Sequence, residues 1–148
     1  DGNPKAFDFP LAFPEKNDLK FSFSGLKTSL FYKLNKWTES EIELYKADLS
    51  ASYQKAVVDQ LIRKTRQVIS TDSFKSFGLS GGVANNEFMR DDFSKLCRDN
   101  ELKFLPAEKR HTGDNAAMIA FAAISQPSGM VDNSKQSLSF LPSLRIDS

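Results

Sequence analysis

Two short turns hold the residues of this sequence best suited to chemistry. The first is Ser80-Gly81-Gly82-Val83-Ala84-Asn85-Asn86, which follows the short apolar run 74–79 and precedes residues with helical spacing. A strand, two glycines and a helix start form the geometry that receives phosphate. Glycine lets a ligand come close to the backbone, and the free amides of a first helical turn point at an anion. A plain strand-to-helix turn with an asparagine cap needs no ligand, and a lone double glycine is a weak motif.

The second turn is Gly113-Asp114-Asn115, which opens an apolar stretch. Asp114 suits a helix cap, where its charge favours the dipole. An ionised carboxylate at a cleft also suits iron, zinc or magnesium, though one carboxylate cannot hold a metal alone. His111 is the single histidine. It lies three residues before Asp114, but a turn does not aim both side chains one way, so it reads as a surface residue. In a third turn, Ser24-Gly25-Leu26-Lys27-Thr28, the lysine opposes the helix dipole and hints at a nearby negative group. Lys109-Arg110-His111 could meet an RNA backbone or simply be a solvated loop. Asp91 and Asp92 read as a solvent-facing pair. No Ser-His-Asp arrangement, cysteine pair with zinc spacing or G-x-x-x-x-G-K loop is present.

The elements that must position these turns fit one α/β domain's worth of chain. Its 148 residues are 40% hydrophobic and 26% charged, with a formal net charge of +1. That charge implies no global attraction to nucleic acid or membrane, so contact with RNA requires local patches. With one cysteine, Cys97, no disulfide forms within the chain, and a reducing compartment fits. The longest apolar run, 116–124, is far short of the roughly 20 residues that span a bilayer.

Residues 1–18 read as an extended lead-in, and the alternation of Phe21-Ser22-Phe23-Ser24 as a short strand. A helix follows toward Leu34. Thr38 and Glu41 have capping-box spacing, with Trp37 and Ile42 as a staple. They announce a helical face of Ile42, Tyr45, Leu49, Tyr53, Ala56, Val57, Leu61 and Val68. It forms one helix, or two joined near residues 50–52, with Lys55, Arg63, Lys64 and Arg66 toward water. Strands are expected at 74–79 and 102–105. A helix between them turns Phe88, Met89, Phe93, Leu96 and Cys97 inward. The alanines of 116–124 predict a helix tightly buried against a sheet, and residues 126–148 a tail docking through Leu138, Phe140, Leu141 and Leu144. Alternation of this kind predicts an α/β layered fold, a mixed sheet flanked by helices. Its ligands gather at the carboxyl ends of the strands.

Four segments then occur in a familiar order: Phe21–Thr28 (FSFSGLKT), Ala56–Asp59 (AVVD), Ser80–Arg90 (SGGVANNEFMR) and Gly113–Ala120 (GDNAAMIA). Together they resemble the carboxyl-terminal half of the TsaD family, once called O-sialoglycoprotein endopeptidase, and the likeness runs from about Phe7 to about Ile124. Asn85, Gly113 and Ala116 depart from the family's usual Ala, Thr and Gly. The resemblance implies part of the second lobe of an actin-like ATPase fold, with ATP or threonylcarbamoyl-adenylate in a cleft between two lobes. It implies transfer of threonylcarbamoyl to N6 of a tRNA adenosine, with partner proteins of that machinery and a bound iron or zinc, in the cytoplasm and away from membranes. Residue by residue, it places Asn86, Gly81 and Gly82 against the nucleotide and Asp114 on the metal. It gives His111 no role, and the sequence does not reveal a catalytic base.

The chain begins Asp1-Gly2 rather than with Met and is expected to be a partial carboxyl-terminal lobe, the amino-terminal lobe lying upstream of an internal cut. The isolated 148 residues are expected to lack transferase activity. A metallopeptidase, suggested by the older family name, and a non-catalytic actin-fold scaffold are the alternatives.

Overall fold

The computed structural model describes residues 2–13, 18–113 and 116–126. It divides into two compact units, residues 1–112 and 113–148. In the first unit the elements run α1 (Ser24–Leu34), α2 (Glu39–Ile69), β1 (Ser76–Leu79), α3 (Glu87–Asp99) and β2 (Lys103–Pro106). Single 3-10 turns lie at Gly82–Asn85 and Lys109–His111. The second unit contributes α4 (Ala116–Ser125). Among the described residues, no helix is long and apolar enough to cross a membrane.

β1 and β2 are parallel, with Ser76 opposite Lys103 and Leu79 opposite Pro106. Parallel neighbours need a crossover, and α3 supplies it. The apolar spacing expected for α3 is observed: Met89, Phe93, Leu96 and Cys97 are buried. Met89, Phe93 and Leu96 meet Val58 of α2 to form the core, edged by Leu61, Ile62, Ile69, Phe77, Leu79, Phe88 and Phe104. Phe77 of β1 stacks on Phe93 with ring centroids 4.9 Å apart and planes 12° from parallel. It also stacks on Phe104 of β2 at 6.4 Å. Cys97 lies inside this layer, and burial raises its thiol pKa, so it is a packing residue rather than a nucleophile.

The start of α2 forms as the sequence requires. Thr38 Oγ1 accepts from the Glu41 amide at 3.3 Å, and Glu41 Oε2 accepts from the Thr38 amide at 2.8 Å. The Thr38 amide and then its hydroxyl lower the Glu41 pKa from the usual 4.5. A depressed carboxylate stabilises the fold above its unfolded pKa, and that contribution fades as pH falls through the lower folded value. Thr38→Ala is therefore expected to cost about 1 kcal/mol at neutral pH, measured by urea unfolding, and to weaken the acid sensitivity of the start of α2. Thr38→Ser retains most of both.

Several expectations are corrected. Residues 21–23 form no strand, and Phe23 is the residue before α1. The Ser22 carbonyl accepts instead from Gln60 Nε2 of α2 at 3.0 Å, and the Phe23 carbonyl from the Lys27 amide at 2.9 Å. Helix α2 is a single 31-residue helix. The serines near its middle do not break it, because Ser52 is buried and its hydroxyl binds the lead-in: it donates to the Asn3 carbonyl and accepts from the Phe7 amide, each at 3.2 Å. The lead-in itself turns at residues 4–5 and lies on α2. Phe7 packs on Trp37 and Tyr45, and Phe9 on Tyr53.

Arg63 and Lys64 were expected to face water. Lys64 is instead 2% exposed, with its ammonium donating to the Phe13 carbonyl at 2.9 Å and to the Asp18 carbonyl. Arg63 donates to the Ala12 and Phe13 carbonyls. The Ala12, Phe13 and Asp18 carbonyls are acceptors that these charged nitrogens satisfy, so α2 is covered at Arg63 and Lys64, while Arg66 is exposed as expected. Among the described residues the sheet is a parallel pair, not mixed. The alanine-rich run forms α4, as its composition predicts. The expected docking tail, with Leu138, Phe140, Leu141 and Leu144, lies outside the described residues.

Candidate functional site

Because β1 and β2 run parallel, the loops leaving them emerge at the same end of the sheet. The loop after β1 carries Gly81 and Gly82. Gly81 has φ +96° and ψ 165°, a region open in practice only to glycine. This turn is what lets the chain leave β1 and enter the 3-10 turn Gly82–Asn85. The turn's bonds run from the Ala84 amide to the Gly81 carbonyl and from the Asn86 amide to the Val83 carbonyl, both 3.0 Å. The amides of Gly82 and Val83 precede the first of these donors, so the turn itself does not consume them. A Cβ on Gly82 would meet nothing within 4 Å. No described neighbour requires glycine there, and the space before that backbone is open.

Asn86 caps α3: its Oδ1 accepts from the Met89 amide at 2.9 Å. Its Nδ2 donates to Gln54 Oε1 of α2 at 2.8 Å. Two of the four hydrogen-bonding positions of the amide are thus taken by the scaffold. Asn85, at the end of the 3-10 turn rather than at the cap, reaches the other loop and donates from Nδ2 to Thr112 Oγ1 at 2.6 Å. Buried Thr112 in turn donates to the Lys109 carbonyl at 2.8 Å.

The strongest tie between the loops was not foreseen from the sequence. Arg90, on the first turn of α3, directs its guanidinium into both: Nε donates to the Ala84 carbonyl and Nη2 to the Ala107 carbonyl at 2.6 Å. The position alone gave no signal, since an arginine following the Asn86 cap reads equally as solvent-facing. A further link joins Lys109 Nζ to Glu87 Oε1 at 2.7 Å on the exposed rim. The lysine's hydrogen bond, then its charge, lowers the Glu87 pKa from 4.5. This link therefore stands at neutral pH and weakens as acid protonates the carboxylate. Arg110 pairs with Glu108 at 2.7 Å, which leaves little of the 109–111 cluster's charge uncompensated. His111 is exposed, as expected.

Asp114 lies outside the described residues. Among those described, no three of His, Cys, Asp and Glu come together, so these residues do not by themselves fit a metal centre.

A parallel β-α-β unit whose two strand-end loops are fastened into one rim defines an α/β fold. A family model describing tRNA N6-adenosine threonylcarbamoyltransferase, TsaD, matches residues 1–121, and the chain belongs to that family. Among similar curated proteins, one from Thermosipho africanus is 37% identical over 121 residues, covering 82% of this chain and 36% of its own length. One from Desulfotalea psychrophila is 42% identical over 125 residues, covering 82% and 36%. One from Streptococcus suis is 37% identical over 139 residues, covering 90% and 41%. All three are named tRNA N6-adenosine threonylcarbamoyltransferase. The chain thus spans little more than a third of the length of these relatives.

Proposed function

We propose that this chain supplies part of the carboxyl-terminal lobe of a cytoplasmic tRNA N6-adenosine threonylcarbamoyltransferase with an actin-like ATPase fold. The observation carrying the proposal is the family match across the segment that builds the two-loop rim. In this reading the amides at Gly81, Gly82 and Val83 receive the phosphate of threonylcarbamoyl-adenylate, or phosphates of ATP. Asn86 offers the ligand its remaining amide hydrogen or lone pair, while its cap bond fixes where the side chain stands.

The chemistry asked of these residues is positioning. The adenylate carbonyl is held where the N6 amine of a tRNA adenosine can attack it, the new C–N bond replacing the carbonyl–phosphate bond as AMP leaves, and dipoles already aligned with the phosphate avoid reorganisation during the reaction. No general base is assigned. A divalent metal, iron or zinc, would take Asp114 as one ligand and require its other ligands from outside this chain. Partner proteins of the same modification machinery complete the proposed assembly.

The test incubates the full-length protein with unmodified tRNA and threonylcarbamoyl-adenylate. Digested nucleosides are then measured by mass spectrometry, with a sialoglycoprotein as the competing substrate. Threonylcarbamoyl-adenosine is expected, with no glycoprotein cleavage. The isolated 148 residues are expected to produce none. Cleavage of the glycoprotein without nucleoside modification would select the peptidase reading, and neither product would select a scaffold.

A further inference from the structure

Residues 19–38 contain Lys20, Lys27, Lys33 and Lys36 and no aspartate or glutamate. In a chain of net charge +1, this is a local basic segment, and aromatic residues are interleaved with the lysines. Helix α1 turns Leu26 inward and leaves Phe31 and Tyr32 each 60% exposed. Those two rings lie 5.9 Å apart, with Lys27 and Lys36 also exposed. Large aromatics so open to water at the edge of a folded unit call for a partner.

The geometry beside them is specific. Ser29, Tyr32, Lys33, Lys36 and Trp37 line a hollow of about 410 Å³. Trp37 is held from behind by Phe7 and Tyr45, at 5.4 and 5.5 Å. Lys33 Nζ is set over the Phe7 and Trp37 rings at 5.1 and 5.9 Å. The neighbouring acids at the start of α2 do not cancel this charge in full. Glu43 pairs with Lys46 at 3.4 Å, and Glu39 and Glu41 bring two negative charges against the four lysines of residues 19–38.

Resting on the transferase reading, we propose that the α1 face is an RNA-contact surface. An unpaired base stacks in the hollow between Tyr32 and Trp37, and Lys27, Lys33 and Lys36 meet the flanking phosphates. Aromatic planes beside lysines are the combination that takes single-stranded nucleic acid. An acidic peptide would be served by the lysines but would gain little from two ring faces.

The test measures fluorescence anisotropy of a labelled, unmodified tRNA transcript binding to the full-length protein at several salt concentrations. Tyr32→Ala is expected to weaken binding by about 5- to 150-fold, the loss of one stacked base. Tyr32→Phe, which retains the ring, is expected to bind like wild type. Lys36→Gln is expected to reduce the slope of log affinity against log salt by about 1. Tyr32 is exposed, so an unchanged melting temperature checks that its variants remain folded. Wild-type binding with unchanged Tyr32→Ala and Lys36→Gln affinities would overturn this surface while leaving the transferase reading intact. Loss of a protein partner from the variants, with tRNA affinity unchanged, would overturn it in favour of a protein interface. No binding of tRNA by wild type would overturn both.

Discussion

Arg90→Ala is expected to lower the stability of the full-length protein by about 2–4 kcal/mol and to abolish most of the proposed transferase activity. Hydrogen bonds from a charged donor contribute about 1.5–3 kcal/mol, and a buried acceptor left without its donor costs the desolvation besides. Arg90 serves two carbonyls, those of Ala84 and Ala107, and Ala84 is 2% exposed. Removing the guanidinium leaves Asn85–Thr112 and the exposed Lys109–Glu87 pair to tie the loops together. Surface ion pairs are weak, so the rim should loosen. Arg90→Lys is not expected to rescue, because one ammonium lacks the planar fork that reaches two separated acceptors. Urea unfolding followed by circular dichroism checks the stability, and nucleoside mass spectrometry the activity. A variant as stable and as active as wild type would show that the rim does not depend on this residue.

The two glycines of the rim separate folding from binding. Gly81→Ala is expected to cost about 1–3 kcal/mol because its φ of +96° strains any residue with a Cβ; the cost is not a clash, since a Cβ there meets nothing within 4 Å. The substitution should move the Gly82–Asn85 turn and lower activity with it. Gly82→Ala differs. Its added Cβ enters open space, so stability should remain near wild type, while a methyl group now stands where the phosphate is proposed to lie. Affinity for threonylcarbamoyl-adenylate is expected to fall at least about tenfold, or about 1.4 kcal/mol, measured by calorimetric titration of the full-length variant. If Gly82→Ala bound the adenylate like wild type, the phosphate would have to lie elsewhere.

These effects show which parts of the molecule were written locally in the sequence. The Thr38–Glu41 box, the α3 face and the Asn86 cap depend on residues within a few positions of one another, and each formed where its spacing indicated. The two expected strands 74–79 and 102–105 formed close to their expected bounds. What failed was set by distant chain. Phe21-Ser22-Phe23 has strand alternation, yet α2 offers it Gln60 rather than a neighbouring strand. Lys64 is charged and was placed in water, but carbonyls of a loop some 46–51 residues earlier enclose its ammonium. Arg90 was visible only as a letter in a motif, because its acceptors lie on two different loops. The candidate glycines and Asn86 were legible from their turn; the ties that aim the turn were not.

The most direct test of the proposed site is a crystal structure of the full-length protein with a non-hydrolysable threonylcarbamoyl-adenylate analogue. The analogue's phosphate is expected within hydrogen-bonding distance of the Gly82 or Val83 amide and beside Asn86, with the Asp114 carboxylate expected to face the same pocket. An analogue bound in the cleft with neither amide touching it, or with Asn86 and Asp114 facing away from each other across the sheet, would contradict the account.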